Sequence, residues 1–348
     1  MVCDIAFLRR PDEPGWSGKR RSTEALIAGL KKIGVKVAYT TDQSVRADYY
    51  AVDSIDELHL LPNVEKSRQI AWIHRDMTGA PKGRIEFDRP GHLFATSQFV
   101  ADAWPTYEPT ILPEPVVMPG PQLVIKGQTR ALYVGRVCRS KGIPLLLKAM
   151  AFMQPCWHLD VVGSVMHDFM PLIKSLRLQC TNLPKKERYN LLLGRTSVDP
   201  GRVTLSGDVL FRDYSAGPKA TVTFHGAQPY WRVQRFYAGA RVVAIPSQHE
   251  PFGRAVIEAL AHNVKPVAIK GSGGPEEILP RYFLCEHDPL RLADHMRHFW
   301  FKDDLRQLAA PYEASVIAQR FMEALNANPT HHQPGVKQST TTPGGPAG

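Results

Sequence analysis

The chain has 348 residues, of which 43% are hydrophobic and 22% charged, a balance that excludes a disordered or fibrous protein and fits a folded soluble one of about two domains. Its formal net charge of +10 favours a polyanionic partner, whether nucleic acid, nucleotide phosphates or an anionic membrane surface, with a plain basic enzyme as the alternative. No segment approaches the roughly twenty consecutive apolar residues of a membrane span.

The opening MVCDIAFLRR reads as a first strand and not as a signal peptide. VCDIAFL (2–8) is followed by an amphipathic helix in STEALIAGLKKIG (22–34) and a strand in VKVAYT (35–40). Further short apolar runs follow at ADYYAVD (47–53), QIAWIH (69–74) and HLFATS (92–97), where Ser97 reads as a helix N-cap. This alternation predicts a parallel sheet covered by helices. TILPEPVVMPGP (110–121), with four prolines, breaks the pattern and reads as a linker.

The alternation resumes with TRALYVGRV (129–137), the helix GIPLLLKAMAFM (142–153), HLDVVGS (158–164), ATVTFHG (220–226), RVVAIPS (241–247), a helix after Phe252, and VKPVAIKG (264–271). A second doubly wound domain is expected, interrupted by an insertion over about 165–219. The insertion's core, 168–202, holds seven basic against three acidic residues. The expected organisation is an N-terminal domain over 1–112, a linker over 113–128 and a second domain over 129–312. A last helix over 313–326 and a disordered tail over 327–348, rich in Pro, Gly, Thr and Ser, complete it. The cysteines, Cys3, Cys138, Cys156, Cys180 and Cys285, form no C-x-x-C pair and suit reduced thiols in the cytoplasm.

Three stretches carry chemistry. In GRVCRSKG (135–142), Arg136 and Lys141 follow a strand and open a helix; they are either phosphate ligands or solvated loop residues. In SQHEPFGRAVIEAL (247–260), Ser247 and Glu250 have capping-box spacing, but that accounts for nothing about Glu258, set among Val256, Ile257, Ala259 and Leu260. A buried carboxylate is costly unless paired, so the expectation is that ribose hydroxyls of a ligand satisfy it. Gly253 allows close backbone approach at that helix's start. In KGSGGPEEIL (270–279), Gly273 and Gly274 form a strand-to-helix turn whose amides are expected to face an anion.

The order G-R-x4-K, H-G (His225-Gly226), F-Y-A-G-A (236–240), P-S-x-x-E-x-F-G-x-x-x-x-E-A-L and G-S-G-G-x-x-E resembles the donor-binding domain of retaining GT-B glycosyltransferases of the glycogen-synthase-like clan, family 4-like, over about residues 129 to 280. The resemblance implies two Rossmann-like α/β domains facing across a cleft, with the last helix crossing back to the first. It implies a nucleotide-sugar donor, UDP-glucose by default, as substrate, and no cofactor or metal. Arg136 and Lys141 would then neutralise the leaving diphosphate, Glu250 would hold the sugar and Glu258 the ribose. Phe252, Gly253, Gly273, Gly274 and His225 would complete the donor cradle. In the first domain, Gly18 would approach the donor phosphate, as the family's glycine loop does. Lys19 and Asp76 are candidates on the acceptor side, and His74 at a strand's carboxyl end would lie beside the transferred sugar; each has a merely structural reading as well.

The acceptor stays open among three readings. IHRD followed by VGR-x4-KG resembles phage DNA alpha-glucosyltransferases, which implies a hydroxylated base of DNA, with Arg9, Arg10, Lys19, Arg20, Arg21, Lys31, Lys32 and the insertion as phosphate contacts. A lipid or surface polysaccharide at an anionic membrane is the second reading. A non-catalytic nucleic-acid-binding protein is the third.

Overall fold

The computed structural model describes residues 2–10, 18–61, 63–74, 88–120, 129–166, 178–180, 203–205, 220–298 and 304–327. Asp76, most of the insertion and the tail lie outside these residues.

The first domain is a six-stranded parallel sheet of order β2-β1-β3-β4-β5-β6. Its strands are β1 (Val2–Leu8), β2 (Val37–Thr40), β3 (Arg46–Val52), β4 (Gln69–Ile73), β5 (His92–Ala95) and β6 (Thr110–Ile111). Ile5, Ala6 and Phe7 of β1 have no exposure at all, as a strand with cover on both sheet faces requires. Helix α1 (Gly18–Lys32) lays Leu26, Ile27 and Leu30 on the sheet, ends on Lys31 and Lys32 where cations suit the helix dipole, and is stopped at Gly34, with φ +91°. The short α2 (Gln98–Asp102) starts at Ser97, whose hydroxyl accepts the Val100 N–H as an N-cap should.

The second domain is an eight-stranded sheet of order β14-β13-β12-β7-β8-β11-β10-β9. Six strands run parallel: β7 (Arg130–Val134), β8 (His158–Val162), β11 (Thr221–Gly226), β12 (Val242–Ile245), β13 (Lys265–Ile269) and β14 (Leu284–Cys285). The insertion's described segments, β9 (Leu178–Cys180) and β10 (Val203–Leu205), extend the β11 edge in antiparallel fashion. The helices are α3 (Ile143–Met150), α4 (Tyr230–Gly239), α5 (Arg254–Ala261), α6 (Gly274–Ile278), α7 (Pro289–His298), α8 (Arg306–Ala309) and α9 (Ala314–Ala327).

The chain passes between the domains twice, and the two crossings are bonded to each other. Val116 N–H donates to Tyr312 O at 2.8 Å, and Ala314 N–H to Val116 O at 2.9 Å. Leu112 belongs to the first core and Val116 to the second, so the change of domain takes four residues. Beyond the return crossing, α9 packs on the first domain: Phe321 lies 5.6 Å from the Trp72 ring and 5.5 Å from Phe94, with Ile317, Ala318 and Leu325 also buried there. An apolar stripe at helical spacing, SVIAQRFMEAL, thus packs beside α1 on the same face of the sheet.

Candidate active site

A cleft of about 690 Å³ lies between the domains. The carboxyl ends of β4, β7, β8 and β12 open onto it through His74, Gly135-Arg136, Gly163-Ser164 and Pro246-Ser247. Open parallel sheets bind ligands at this edge, because the strand-to-helix turns there present side chains and amides not used by the sheet.

On the second domain's wall, Lys141 Nζ lies 2.6 Å from Glu250 Oε2, with both side chains about four-fifths buried, at 18% and 20% exposure. Arg136 is exposed on the cleft wall and has no ion-pair partner among the described residues. Glu250 is not a helix cap: α5 begins four residues later, with Gly253 at its N-cap position and φ +95°, a conformation that glycine adopts without strain. Phe252 and Gly253 both line the cleft.

Glu258 is fully buried, and the chain itself supplies its partners. Arg21 Nη1 donates to Oε1 at 3.0 Å and to Oε2 at 3.3 Å, Arg254 Nε to Oε1 at 2.9 Å, and the Tyr237 hydroxyl to Oε2 at 2.8 Å. The expectation that only a ligand satisfies this carboxylate is therefore overturned. Burial pushes the Glu258 carboxyl upward, but Arg21, then Arg254 and the Tyr237 hydroxyl, outweigh it and hold the group below its ordinary value. The Tyr237 hydroxyl is pushed well upward by its own burial and by Glu258.

The network continues through the linker. Arg254 Nη1 donates to Ser22 Oγ at 2.7 Å and to Pro115 O at 3.3 Å, and lies 3.6 Å from Glu114 Oε2. Ser22 Oγ donates to Glu114 Oε2 at 2.8 Å, and Glu114 Oε1 lies 3.1 Å from His74 Nδ1. Burial raises the Glu114 carboxyl, but His74, Arg254 and Ser22 together bring it down to about 2. An ionised carboxylate only accepts, so Nδ1 of His74 carries the proton that it shares with Glu114.

The remaining candidates divide. Lys19 lines the cleft, 3.9 Å from the buried Glu57. Gly18 is the first residue of α1. His225 is corrected: its Nε2 lies 2.7 Å from Asp160 Oδ1 and its ring packs 4.5 Å from Phe236, away from the cleft lining. Asp160, which Arg130 and His158 also hold, orients that imidazole.

Gly274 is also corrected, and Gly273 sits in a tight interdomain contact. Gly273, with φ +100°, lies so close to the first domain that a Cβ there would come within 2.8 Å of the Phe99 ring. The Gly274 N–H donates to Glu250 O at 2.9 Å, so that amide is not left for an anion. The polarity of the expected contact is reversed: Glu277 of α6 accepts the Gln98 and Phe99 N–H groups at 2.9 and 2.7 Å, capping α2 of the other domain.

Sequence reasoning placed Arg21 only among contacts to DNA phosphates and did not single out Glu114, Tyr237 or Arg254 as site residues. Only Arg254 had a local signal, its i,i+4 spacing from Glu258. The basic run near the N-terminus is less available to a polyanion than expected, since Arg10 pairs with Glu57, Arg20 with Glu24, Arg21 with Glu258 and Lys32 with Glu313. Among the described residues no group of three or more His, Cys, Asp and Glu is arranged to hold a metal ion, and no helix is long and apolar enough to cross a membrane.

Two parallel-sheet Rossmann-like domains with a cleft at their carboxyl edges define the GT-B class of fold. Residues 210–314 match the family model described as Glycosyl transferases group 1, which supports that family for this chain. HepE of Anabaena, solved with UDP and glucose, is similar over 93% of this chain and 100% of its own, with a TM-score of 0.61 at 15% identity. Sucrose-phosphate synthase of Thermosynechococcus elongatus is similar over 93% of this chain and 98% of its own, with a TM-score of 0.63 at 16% identity. The D-inositol 3-phosphate glycosyltransferase of Corynebacterium kroppenstedtii is 28% identical over 219 residues, 61% of this chain. The matched region spans 46% of that relative, about half its length.

Proposed function

We propose that the chain is a retaining glycosyltransferase that moves a sugar from a nucleotide-sugar donor, UDP-glucose by default, to an acceptor hydroxyl. The observation that carries this is the grouping of Arg136, Lys141 and Glu250 on one wall of the interdomain cleft. The match to the glycosyl transferase family and the UDP in the HepE structure support it.

In this reading the donor diphosphate lies against Arg136 and draws Lys141 away from Glu250. As the bond to the sugar breaks, negative charge grows on the leaving oxygens and the two cations stabilise it without reorganising. Glu250, released, accepts hydrogen bonds from the sugar hydroxyls. His74, its Nδ1–H held by Glu114, lies beside the transferred sugar and orients the acceptor. The acceptor hydroxyl bonds to the sugar carbon on the face the diphosphate leaves and passes its proton to the leaving diphosphate oxygen. Charge neutralisation by the two side chains gives a metal ion no part in this scheme, and turnover is expected to persist in a chelator. Exclusion of water by domain closure protects the donor from hydrolysis.

The proposed acceptor is a hydroxylated base of DNA, on the strength of the net charge of +10 and the basic insertion. Transfer to a lipid or polysaccharide at an anionic membrane is the competing reading, and the internal pairing of the N-terminal basic run weakens both alike. The test is incubation with a panel of nucleotide sugars, reading released nucleotide alone, with hydroxymethylated DNA and with anionic vesicles carrying a hydroxylated lipid. Stimulation by one acceptor selects it. No release and no binding with any nucleotide sugar would sink the enzyme reading and leave a non-catalytic binding protein.

A further inference from the structure

The donor reading asks Glu258 to grip a ribose, yet every oxygen of that carboxylate is engaged within the chain. Ribose hydroxyls can bind it only by displacing one of three donors. Arg254 sits one turn back on the same helix and is held at the same time by Ser22, Pro115 and Glu114. Tyr237 is fully buried, stacked on His262 with ring centroids 5.1 Å apart. Arg21 differs from both. It comes from the other domain, its hydrogen bonds among the described residues go to Glu258, one of them at 3.3 Å, and its Nε is buried with no partner among them. It also lines the cleft, with its guanidinium 5.2 Å from the Tyr230 ring centroid.

We propose that Arg21 is an interdomain tether that occupies the ribose position of the free chain, and that a nucleoside's ribose hydroxyls displace it from Glu258, leaving the Arg254–Ser22 hydrogen bond as the remaining side-chain link between α1 and α5. This rests on the donor reading of Glu258. The exchange strands no charge. Glu258 keeps Arg254 and Tyr237 and gains two hydroxyl donors, while Arg21 keeps the Tyr230 face and the field of Glu114 and stands in the cleft where a donor's phosphates would enter. Nucleotide binding and domain geometry are then coupled, because one carboxylate cannot serve both partners.

The test uses Arg21→Met, which keeps the bulk and removes the donors, with Arg21→Lys as a milder variant and circular dichroism melts to confirm folding. Uridine is the probe for calorimetry, since it has the ribose and no phosphate. Loss of the competitor is expected to tighten uridine about tenfold in Arg21→Met and less in Arg21→Lys, with no gain for 2′,3′-dideoxyuridine. Small-angle scattering without ligand is expected to show a larger radius of gyration for Arg21→Met. Unchanged or weaker uridine binding, or an equal gain for the dideoxy compound, overturns the exchange; an unchanged radius overturns the tether. UDP binding to the native chain, and its loss in Lys141→Met, tests the donor reading separately. UDP failing to bind while Arg21→Met still expands overturns the donor reading and leaves the tether standing.

Discussion

The cleft contains two carboxylates eight residues apart, Glu250 and Glu258, that occupy opposite physical regimes. Glu250 has one cationic partner, Lys141, and both side chains keep some contact with solvent. Glu258 has none, and it joins two arginines and a tyrosine from three elements and both domains. A lone, partly wet pair exchanges partners at little cost, whereas a fully desolvated cluster resists removal of any one member. The spacing that suggests two equivalent ligand-gripping acids therefore yields one acid in a partly wet pair and one that links the two domains.

Glu258→Ala should break this comparison most visibly. It leaves Arg21 and Arg254 facing each other without their shared anion, and a loss of about 3–5 kcal/mol is expected in urea unfolding. A loss as small as that of Glu250→Ala would mean that the two sites are equivalent after all. Glu114 sharpens the contrast through pH. Its carboxyl is held at about 2 in the folded chain against 4.5 ordinarily, so the stability it contributes is complete above pH 4.5 and drains away as pH falls toward 2. In Glu114→Gln that part of the acid-unfolding limb should flatten; an unchanged limb would show that the His74–Glu114–Arg254 link carries no stability.

Glu250→Ala and Arg136→Ala are expected to lower kcat about 100-fold while costing less stability than the loss of Glu258, because water in the open cleft reaches the Lys141 ammonium left behind. Turnover at the native rate in either variant would remove these side chains from the reaction. The smallest effect is expected at the outer contact. Glu277→Ala uncaps α2 and should cost about 1 kcal/mol, seen as a slightly lower melting temperature with catalysis nearly intact.

Much of the fold was legible from local pattern. The apolar runs VCDIAFL, QIAWIH and HLFA, split by amphipathic stretches, are the strands and helices of a wound parallel sheet, and Ser97 is the N-cap its position suggests. The shared position of Arg136, Lys141 and Glu250 on the cleft wall follows from each lying after a strand end. Gly274 misled, because its amide is used on the Glu250 carbonyl, and a turn rich in glycine serves close packing against Phe99 as well as it serves an anion. His225 misled in the same way: a histidine at the end of a strand reads alike whether it faces a ligand or Asp160.

What the sequence determined by itself, then, is everything governed by neighbours along the chain: two alternating domains, their break at the prolines, and acids and bases at strand ends. Only the tertiary structure decided that Glu258 is neutralised by Arg21, 237 positions earlier, that Glu114 of the linker holds His74, and that the cap of α2 comes from Glu277. The physical reason is that charge compensation in a buried site acts through space over a few ångströms. Residue type and spacing report that a carboxylate must be paired; which cation meets it depends on how two domains, folded each on its own pattern, come to face one another.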